Sequence, residues 1–296
     1  MNEIPLNEHE RIVREGKDIP EQQPSVPIRL NRVGITGNRI WINLPEGRLP
    51  FDSSISVSLS GHRRGIHMSR IEDTIAWSFD QEFGDLKEFA KKFCHKIMEG
   101  QKSNGVFLKI KGSLPRTETT PISEKRSIEA LEIFLTAQGS GTEITMEIGI
   151  EIEHITACPC TQAYHQTWIG ETAQHPLPLP THSQKTVTRI SIQDLMDRLY
   201  FWDILKPAAS SLHLIQGLLK RPDEAELVIR AHRRPQFVED VVRELAAATV
   251  RELGDRIDPE AFINIESLSL ESIHTHNVQA EFSARFQEIR DLVENS

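Results

Sequence analysis

Cysteine is scarce in this chain. Three cysteines occur in 296 residues, and so small and odd a number cannot build the disulfide framework that stabilises many secreted proteins. We therefore expect a reducing, cytoplasmic compartment. Two of the three, Cys158 and Cys160, are separated by a single proline. This pair and the 12 histidines are the first place where chemistry is expected.

Long hydrophobic runs and excess positive charge are also missing. No apolar run approaches the ~20 residues that cross a bilayer, and residues 1–23 are too polar for a secretory signal, so we expect no membrane segment. Asp and Glu number 43 against 34 Lys and Arg, a formal net charge of −9. General nucleic-acid binding needs a basic face, so nucleic acid is not expected as a partner. The glycine-rich loops of P-loop and dinucleotide-binding folds are absent, and side chains would have to hold any phosphate.

The hydrophobic pattern predicts an α+β protein with two similar halves. Residues 1–27 contain several prolines and no apolar period, which is typical of a mobile N-terminal arm. From residue 28 the predicted order is strands, helix, strands, and then strands, helices, strands. We interpret this order as two modules, residues 28–140 and 141–296, each an antiparallel sheet with helices on one face.

The clearest single element is a strand over residues 142–156. Its apolar residues alternate with glutamates and threonines, as in a strand with one buried face. The same alternation places His154, Thr156 and Cys158 on the apolar side, which suggests a site at the end of this strand. Apolar spacings of three and four predict helices over residues 83–98, 193–205, 208–219 and 237–253.

Cysteine and histidine together suggest a metal site. The Cys-Pro-Cys segment lacks the second cysteine pair of a structural zinc site and the spacing of a redox pair. Cys158 is therefore either a metal ligand or nucleophile, or simply a small apolar residue. His182 ends a proline-rich loop, and His274 and His276 share one face of an extended segment. One Cys with two or three His can hold a metal that activates water, which suggests a hydrolase, although surface histidines are the alternative.

Residues 61–70 form a basic segment in an otherwise acidic chain. They contain three arginines and two histidines between glycines. A loop of this composition suits an anionic ligand such as a polyphosphate, and His67 within it could move protons. The alternative is a basic surface turn.

Five segments taken together resemble the GTP cyclohydrolase family, in its metal-dependent type IB branch and its archaeal GTP cyclohydrolase IV branch. They run in order along the chain: residues 64–70, 158–160, 218–224, 237–240 and 271–276. The resemblance extends from about residue 28 to residue 282. It implies a tunnelling fold (T-fold) with two similar sheet-plus-helices modules per chain. It also implies a homo-oligomer, a dimer or tetramer, with active sites at subunit interfaces.

The resemblance further implies an activity and a set of site residues. The substrate would be GTP, whose purine ring is attacked by activated water at C8 and loses formate before closing to a 7,8-dihydroneopterin phosphate. Three residues match catalytic positions of the family: Cys158, His67 and His274. Three match its metal positions: Cys158, His182 and His276. Five match substrate-binding positions: Arg63, Arg64, Ser69, Arg70 and Asp240. Fe(2+) is the metal favoured, with Zn(2+) or Mn(2+) as alternatives.

Two departures from the bacterial branch favour the archaeal one. Leu214 and Ile229 stand where type IB members have glutamates, and neither side chain can bind a metal or anchor a purine. The archaeal branch implies a 2',3'-cyclic phosphate product for methanopterin-type cofactors, and the alternative is the triphosphate made for folate. The sequence is also compatible with a non-catalytic purine- or pterin-binding protein, and with a tunnelling-fold reductase that uses Cys158 as its nucleophile.

Overall fold

The computed structural model describes residues 3–170, 176–217 and 219–295. Its elements, in chain order, are α1 (Leu6–Glu15), β1 (Leu30–Leu44), β2 (Gly47–Leu59), α2 (Met68–Phe79), α3 (Leu86–Gln101), β3 (Gly105–Thr119), β4 (Arg126–Ser140), β5 (Glu143–Ala157), α4 (Pro159–Ile169), β6 (Ser183–Gln193), α5 (Phe201–Ser211), β7 (His213–Leu214), α6 (Arg221–Arg233), α7 (Val238–Leu253), β8 (Phe262–Leu270), β9 (Val278–Arg285) and α8 (Phe286–Glu294). Leu218, which begins one family-like segment and lies in a predicted helix, falls outside the described residues, as do residues 1–2 of the arm and 171–175 of the proline-rich loop.

The nine strands named above belong to one antiparallel sheet. Its order is β1-β2-β3-β4-β5-β6-β8-β9, and the short strand β7 pairs with β5. The predicted α+β class is therefore confirmed. β4 and β5 are joined by a two-residue turn in which Gly141 has φ of +62°, a backbone conformation that glycine adopts without steric cost. The predicted module boundary falls at this turn, and the division into two modules stays a prediction.

The helices α3 and α7 bury their apolar stripes against the sheet, α3 mainly on β3 and β4 and α7 on β8 and β9. Phe89 and Phe93 of α3 and Val241 and Leu245 of α7 are each 0% exposed. Because these residues repeat at intervals of three and four, the predicted helices over 83–98 and 237–253 are confirmed as α3 and α7.

The two predicted helices over 193–205 and 208–219 are wrong. A single helix, α5, contains Pro207 within it. The residues before α5 form a turn in which the buried Asp194 carboxylate accepts the N–H groups of Arg198 and Leu199. Lys87 donates to the same carboxylate at 2.7 Å, so the turn is anchored to α3 in the first half of the chain.

β4 and β5 separate toward one end of the sheet. They pair from the turn only as far as Glu132 and Glu151, and beyond this point β7 lies against β5, with Leu214 opposite His154. The separation leaves a cavity of about 390 Å³ that Leu214 helps to line. The residue that departs from the bacterial branch thus lies in a cleft of the sheet.

The N-terminal segment (residues 3–27) contains the helix α1 and, around residues 20–22, a stretch that is hydrogen-bonded to the basic segment. No residue of α1 is buried. Pro20 and Gln22 accept backbone hydrogen bonds from Arg64, at 3.0 and 2.8 Å. The mobility predicted for residues 1–27 is not tested by these contacts. No helix among residues 3–170, 176–217 and 219–295 is long and apolar enough to cross a bilayer.

Candidate active site

Three strand ends meet where the candidate residues lie. β5 ends opposite the start of β6, with Ala157 paired to Ser183, and β8 ends beside β6, with Leu270 paired to Lys185. Cys158, His182 and Glu271 are each the next residue beyond one of these strand ends. The antiparallel register therefore brings together residues that are more than 100 positions apart in sequence.

Cys158 and His182 are tied through the backbone. The amide N–H of Cys158 donates to the carbonyl oxygen of His182 at 3.0 Å, and the Thr181 hydroxyl donates to the carbonyl of Cys158 at 2.7 Å. Cys158 is also the N-cap residue of α4, and its Sγ accepts from the Thr161 hydroxyl at 3.8 Å. The positive end of a helix dipole favours a negatively charged group at this position.

His182, Glu271 and His274 form a compact group of metal-binding atoms at this edge. One ligand atom from each lies within 4.8 Å of the others. The His182 and His274 rings meet edge to face at 6.0 Å, and the ring of His276 stacks on His274 at 5.4 Å. Ser269 donates to the Glu271 carboxylate at 2.8 Å. Imidazole nitrogens with a carboxylate oxygen suit Fe(2+), Zn(2+) or Mn(2+), so these donors fit the predicted metals.

The sequence did not single out Glu271 as a site residue. It begins the family-like segment 271–276, so the signal was present, but only the β6–β8 register shows that its carboxylate reaches His182. Cys158 and His276 are not members of the compact group. The predicted ligand set of Cys158, His182 and His276 therefore stays a prediction. The geometry adds Glu271 and His274 as candidate ligands.

The basic segment is a loop only as far as His67, because α2 begins at Met68. Arg63 donates to the carbonyl of Gln101 at 2.6 Å, and Arg70 donates to that of Gly100 at 3.0 Å. Both arginines thus bind carbonyls at the C-terminal end of α3, where positive charge is favourable.

Arg64 and Ser69 are the exposed members of the predicted phosphate-binding set. The backbone N–H of Arg64 is used in docking residues 20–22, while its side chain lies at the surface. These two side chains are therefore accessible to an anion.

The basic loop (residues 61–67) and the edge of the sheet that carries Cys158, His182, Glu271 and His274 (the Cys/His edge, or metal edge) lie at opposite ends of the sheet. The loop follows β2, whose C-terminal end lies on the side where β5 begins. β5 then runs for 15 residues to Ala157, a length of roughly 45 Å at about 3.3 Å per residue. Within one chain, the two groups of residues cannot contact the same GTP molecule.

Asp240 and His154 have structural partners. The Asp240 carboxylate accepts the N–H of Phe237 at 3.0 Å and so caps α7. His154 is fully buried, and its Nε2 shares a hydrogen bond of 2.8 Å with the Thr188 hydroxyl. Burial lowers the pKa of His154 to about 4. The prediction that His154 and Thr156 face the apolar side is confirmed, since both are almost completely buried.

Comparison with known proteins identifies relatives along nearly the whole chain. The family described as type I GTP cyclohydrolase folE2 matches residues 17–280. GTP cyclohydrolase MptA of Thermoplasma acidophilum is 29% identical, covering 93% of this chain and 97% of its own length. GTP cyclohydrolase MptA of Methanocaldococcus jannaschii is also 29% identical, covering 92% of this chain and 96% of its own.

Solved structures with a similar fold are uricases. Uricase from Arthrobacter globiformis has a TM-score of 0.51 at 13% identity, over 86% of this chain and 93% of its own. Uricase from Bacillus fastidious has the same TM-score at 11% identity, over 91% of this chain and 96% of its own. At such low identity the likeness concerns the fold alone, and it confirms the tunnelling fold.

Proposed function

The chain belongs to the type I GTP cyclohydrolase family, and from this premise we propose how its residues act on GTP. As a GTP cyclohydrolase it opens the purine ring. We place the attack at C8, followed by loss of formate and closure to a 7,8-dihydroneopterin phosphate. GTP is a cytoplasmic nucleotide and the chain's three cysteines are free thiols, so a cytoplasmic location is part of the proposal.

The proposed metal site is based on one observation: the ligand atoms of His182, Glu271 and His274 lie close together, at the edge of the sheet where Cys158 lies. We assign these three residues to the ion, with Cys158 at the same edge, and favour Fe(2+) over Zn(2+) or Mn(2+). When bound, the ion supplies the Lewis acidity that makes water a nucleophile near neutral pH. His276, stacked on His274, is then placed to move a proton.

The sequence-based alternative exchanges the two C-terminal histidines, so that His276 binds the ion and His274 moves protons. The metal content of His274→Gln and His276→Gln separates the two assignments. The variant that loses metal has lost the ligand. The variant that keeps metal but turns over slowly has lost the proton-transfer group.

We propose that the basic loop that completes each active site comes from a second copy of the chain. Because the loop and the Cys/His edge are separated by the length of β5, we propose a homo-oligomer in which the loop of one copy faces the metal edge of another. Arg64 and Ser69 would bind the phosphates there, and Arg63 and Arg70 would hold the loop on α3. A substrate contact by Asp240, which caps α7, stays a prediction.

The product proposed is the 2',3'-cyclic phosphate, on the way to a methanopterin-type cofactor. Its ring closes when a side-chain hydroxyl of the pterin attacks the α-phosphorus, and pyrophosphate leaves as the bond from that phosphorus to the β-phosphate breaks. The relatives named MptA are archaeal enzymes, and Leu214 and Ile229 replace the glutamates of the bacterial branch. Leu214 lines the cleft between β4 and β5, where it offers no charge. The triphosphate made for folate is the alternative.

The direct test is turnover by the full chain purified without oxygen and loaded with Fe(2+). We expect GTP to be consumed with release of one formate and one pyrophosphate, and mass spectrometry of the product to give the cyclic phosphate. Chelator-treated protein is the matched control and should be inactive. Metal-loaded protein that leaves GTP intact would contradict the proposal, and GTP binding without turnover would instead support a purine-binding role.

A further inference from the structure

The N-terminal segment lies directly on the basic loop. The carbonyl of Pro20 accepts the N–H of Arg64 at 3.0 Å and of Gly65 at 3.1 Å, and the carbonyl of Gln22 accepts the N–H of Arg64 at 2.8 Å. These bonds fix the backbone on both sides of Glu21. Its side chain is therefore held against the loop from a segment more than 40 residues earlier in the sequence.

Glu21 lies between two members of the loop. Its Oε1 is 2.9 Å from Nε2 of His67 and 2.8 Å from Nη2 of Arg63. The hydrogen bond from His67 lowers the pKa of Glu21, with Arg63 and Lys102 adding in the same direction against the effect of burial. Glu21 is thus an ionised carboxylate near neutral pH, and an ionised carboxylate only accepts hydrogen bonds. The proton of this contact must therefore reside on Nε2 of His67.

The remainder of His67 is also held in place. Its backbone N–H donates to the side chain of Gln101 at 3.1 Å, and its carbonyl accepts from the same side chain at 2.7 Å. Gln101 is 1% exposed. With the backbone fixed by Gln101 and Nε2 by Glu21, Nδ1 is the ring nitrogen that lacks a hydrogen-bond partner among the described residues.

The group formed by Asp18, Glu21 and His67 is poorly suited to bind a metal ion. Asp18, Glu21 and His67 do bring three ligand atoms within 4.8 Å of one another. However, the Arg63 guanidinium already pairs with the Glu21 oxygen that a cation would use, and two positive charges at one oxygen repel each other. Asp18 lies 3.8 Å from Nε2 of His67 and adds a second negative charge beside the ring. The group is therefore a carboxylate–imidazole pair.

We propose that Glu21 is a positioning residue for His67, holding the ring proton on Nε2 so that Nδ1 exchanges a proton with the substrate. This inference rests on the proposed function, and it gives His67 the acid–base role that the family resemblance implies for it. A carboxylate that orients a histidine in this way fixes its tautomer and the orientation of its ring. The N-terminal segment then contributes to the chemistry through His67 without touching GTP.

The test uses three variants of the full chain. Glu21→Gln keeps the shape of the side chain and removes its charge, and Glu21→Asp keeps the charge. Glu10→Gln is the matched control, because Glu10 is an exposed acid of the same segment, on α1. We expect Glu21→Gln to lower kcat about 10-fold or more with little change in KM for GTP. Glu21→Asp should recover part of the loss, and Glu10→Gln should behave as wild type.

A second measurement needs neither metal nor turnover. Selective nitrogen-15 labelling of histidine, with His67→Asn to assign the signal, reports which ring nitrogen carries the proton in the neutral ring. The wild type should carry it on Nε2, and Glu21→Gln should show a mixture of both forms. Because this result does not depend on GTP hydrolysis, it distinguishes failure of the inference from failure of the proposed function.

Two results would overturn the proposal. One is an unchanged tautomer in Glu21→Gln. The other is a lower KM for GTP with unchanged kcat, because Glu21 would then be competing with the substrate phosphates for Arg63 rather than orienting His67.

Discussion

The amide N–H of Cys158 donates to the carbonyl oxygen of His182 at 3.0 Å, so the thiol and the imidazole are held at adjacent ends of β5 and β6. This bond uses only backbone atoms. The Cys158 side chain can therefore be changed without removing the contact that aligns the two residues.

Cys158→Ala should abolish turnover while the fold persists. We expect kcat to fall at least about 100-fold, because the thiol is lost from the metal edge. The free energy of unfolding should change by less than about 1 kcal/mol, since the side chain is only half-buried. Cys160→Ala is the control, because Cys160 is exposed and should be dispensable. An active Cys158→Ala enzyme would remove Cys158 from the site.

Glu271→Gln should weaken metal binding. The substitution keeps the size of the side chain and removes the only carboxylate of the compact group, so we expect the affinity for Fe(2+) to fall about 10-fold or more. The measurement is metal content after dialysis against graded chelator, together with turnover. Glu281→Gln, an exposed acid on β9, is the matched control. Equal metal retention in both variants would show that Glu271 is not a ligand.

The free energy of unfolding should fall as the pH is lowered from about 6.5 to about 4. The folded state keeps His154 neutral down to a pKa of about 4 because the ring is buried, whereas the unfolded chain binds the proton near pH 6.5. The unfolded state therefore holds more protons in this window, and stability rises with pH across it. The loss reaches about 3 kcal/mol at the acidic end.

His154→Gln isolates this contribution. Burial lowers the pKa of His213 as well, but His213 is present in both proteins and its effect cancels. Urea denaturation at pH 7 and pH 5 should show a smaller loss of stability in the variant, by about 2 kcal/mol. Equal losses would mean that the buried ring is not the titrating group.

Lys87→Met should destabilise the whole chain by about 3–5 kcal/mol. Lys87 and Asp194 are paired at 2.7 Å with side chains that are 9% and 1% exposed, and removing the lysine leaves a buried carboxylate uncompensated. Lys91→Met, which breaks a more exposed pair with Asp197, should cost less than about 1 kcal/mol. Thermal unfolding measures both. If Lys87→Met lowered the free energy of unfolding no more than Lys91→Met does, the Lys87–Asp194 pair would not couple α3 to the turn before α5.

Periodicity in the sequence predicted the elements that bury a regular stripe. β5, α3 and α7 each pack one apolar face, and so their alternation or helical spacing is visible locally. α4 has no buried residue, so no stripe exists for the spacing to reveal, and α6 buries the polar Asp223 along with two apolar residues. Pro207 was expected to separate two helices, but burial of Phe201 and Ile204 against the core keeps α5 continuous around it.

The candidate site was predictable in its residue types but not in its grouping. Cys158, His182 and His274 stand out in the sequence because of their chemistry. Which of them meet depends on the register of β5, β6 and β8, and that register is set by the burial of whole strands. For the same reason, the separation of His67 from Cys158 by the full length of β5 could not be predicted from the order of the segments.

Mixing two inactive variants should restore activity if the site is shared between copies. In His67→Asn the basic loop is impaired, and in Cys158→Ala the metal edge is impaired. After dissociation and reassembly of a 1:1 mixture, about a quarter of the shared sites would combine an intact loop with an intact edge. Each variant reassembled alone is the control. We therefore expect turnover to recover to roughly that fraction of the wild-type rate. Recovery requires that the two halves of a site come from different chains, because a site contained in one chain would carry one defect in every copy. A mixture as inactive as either variant alone would exclude shared sites.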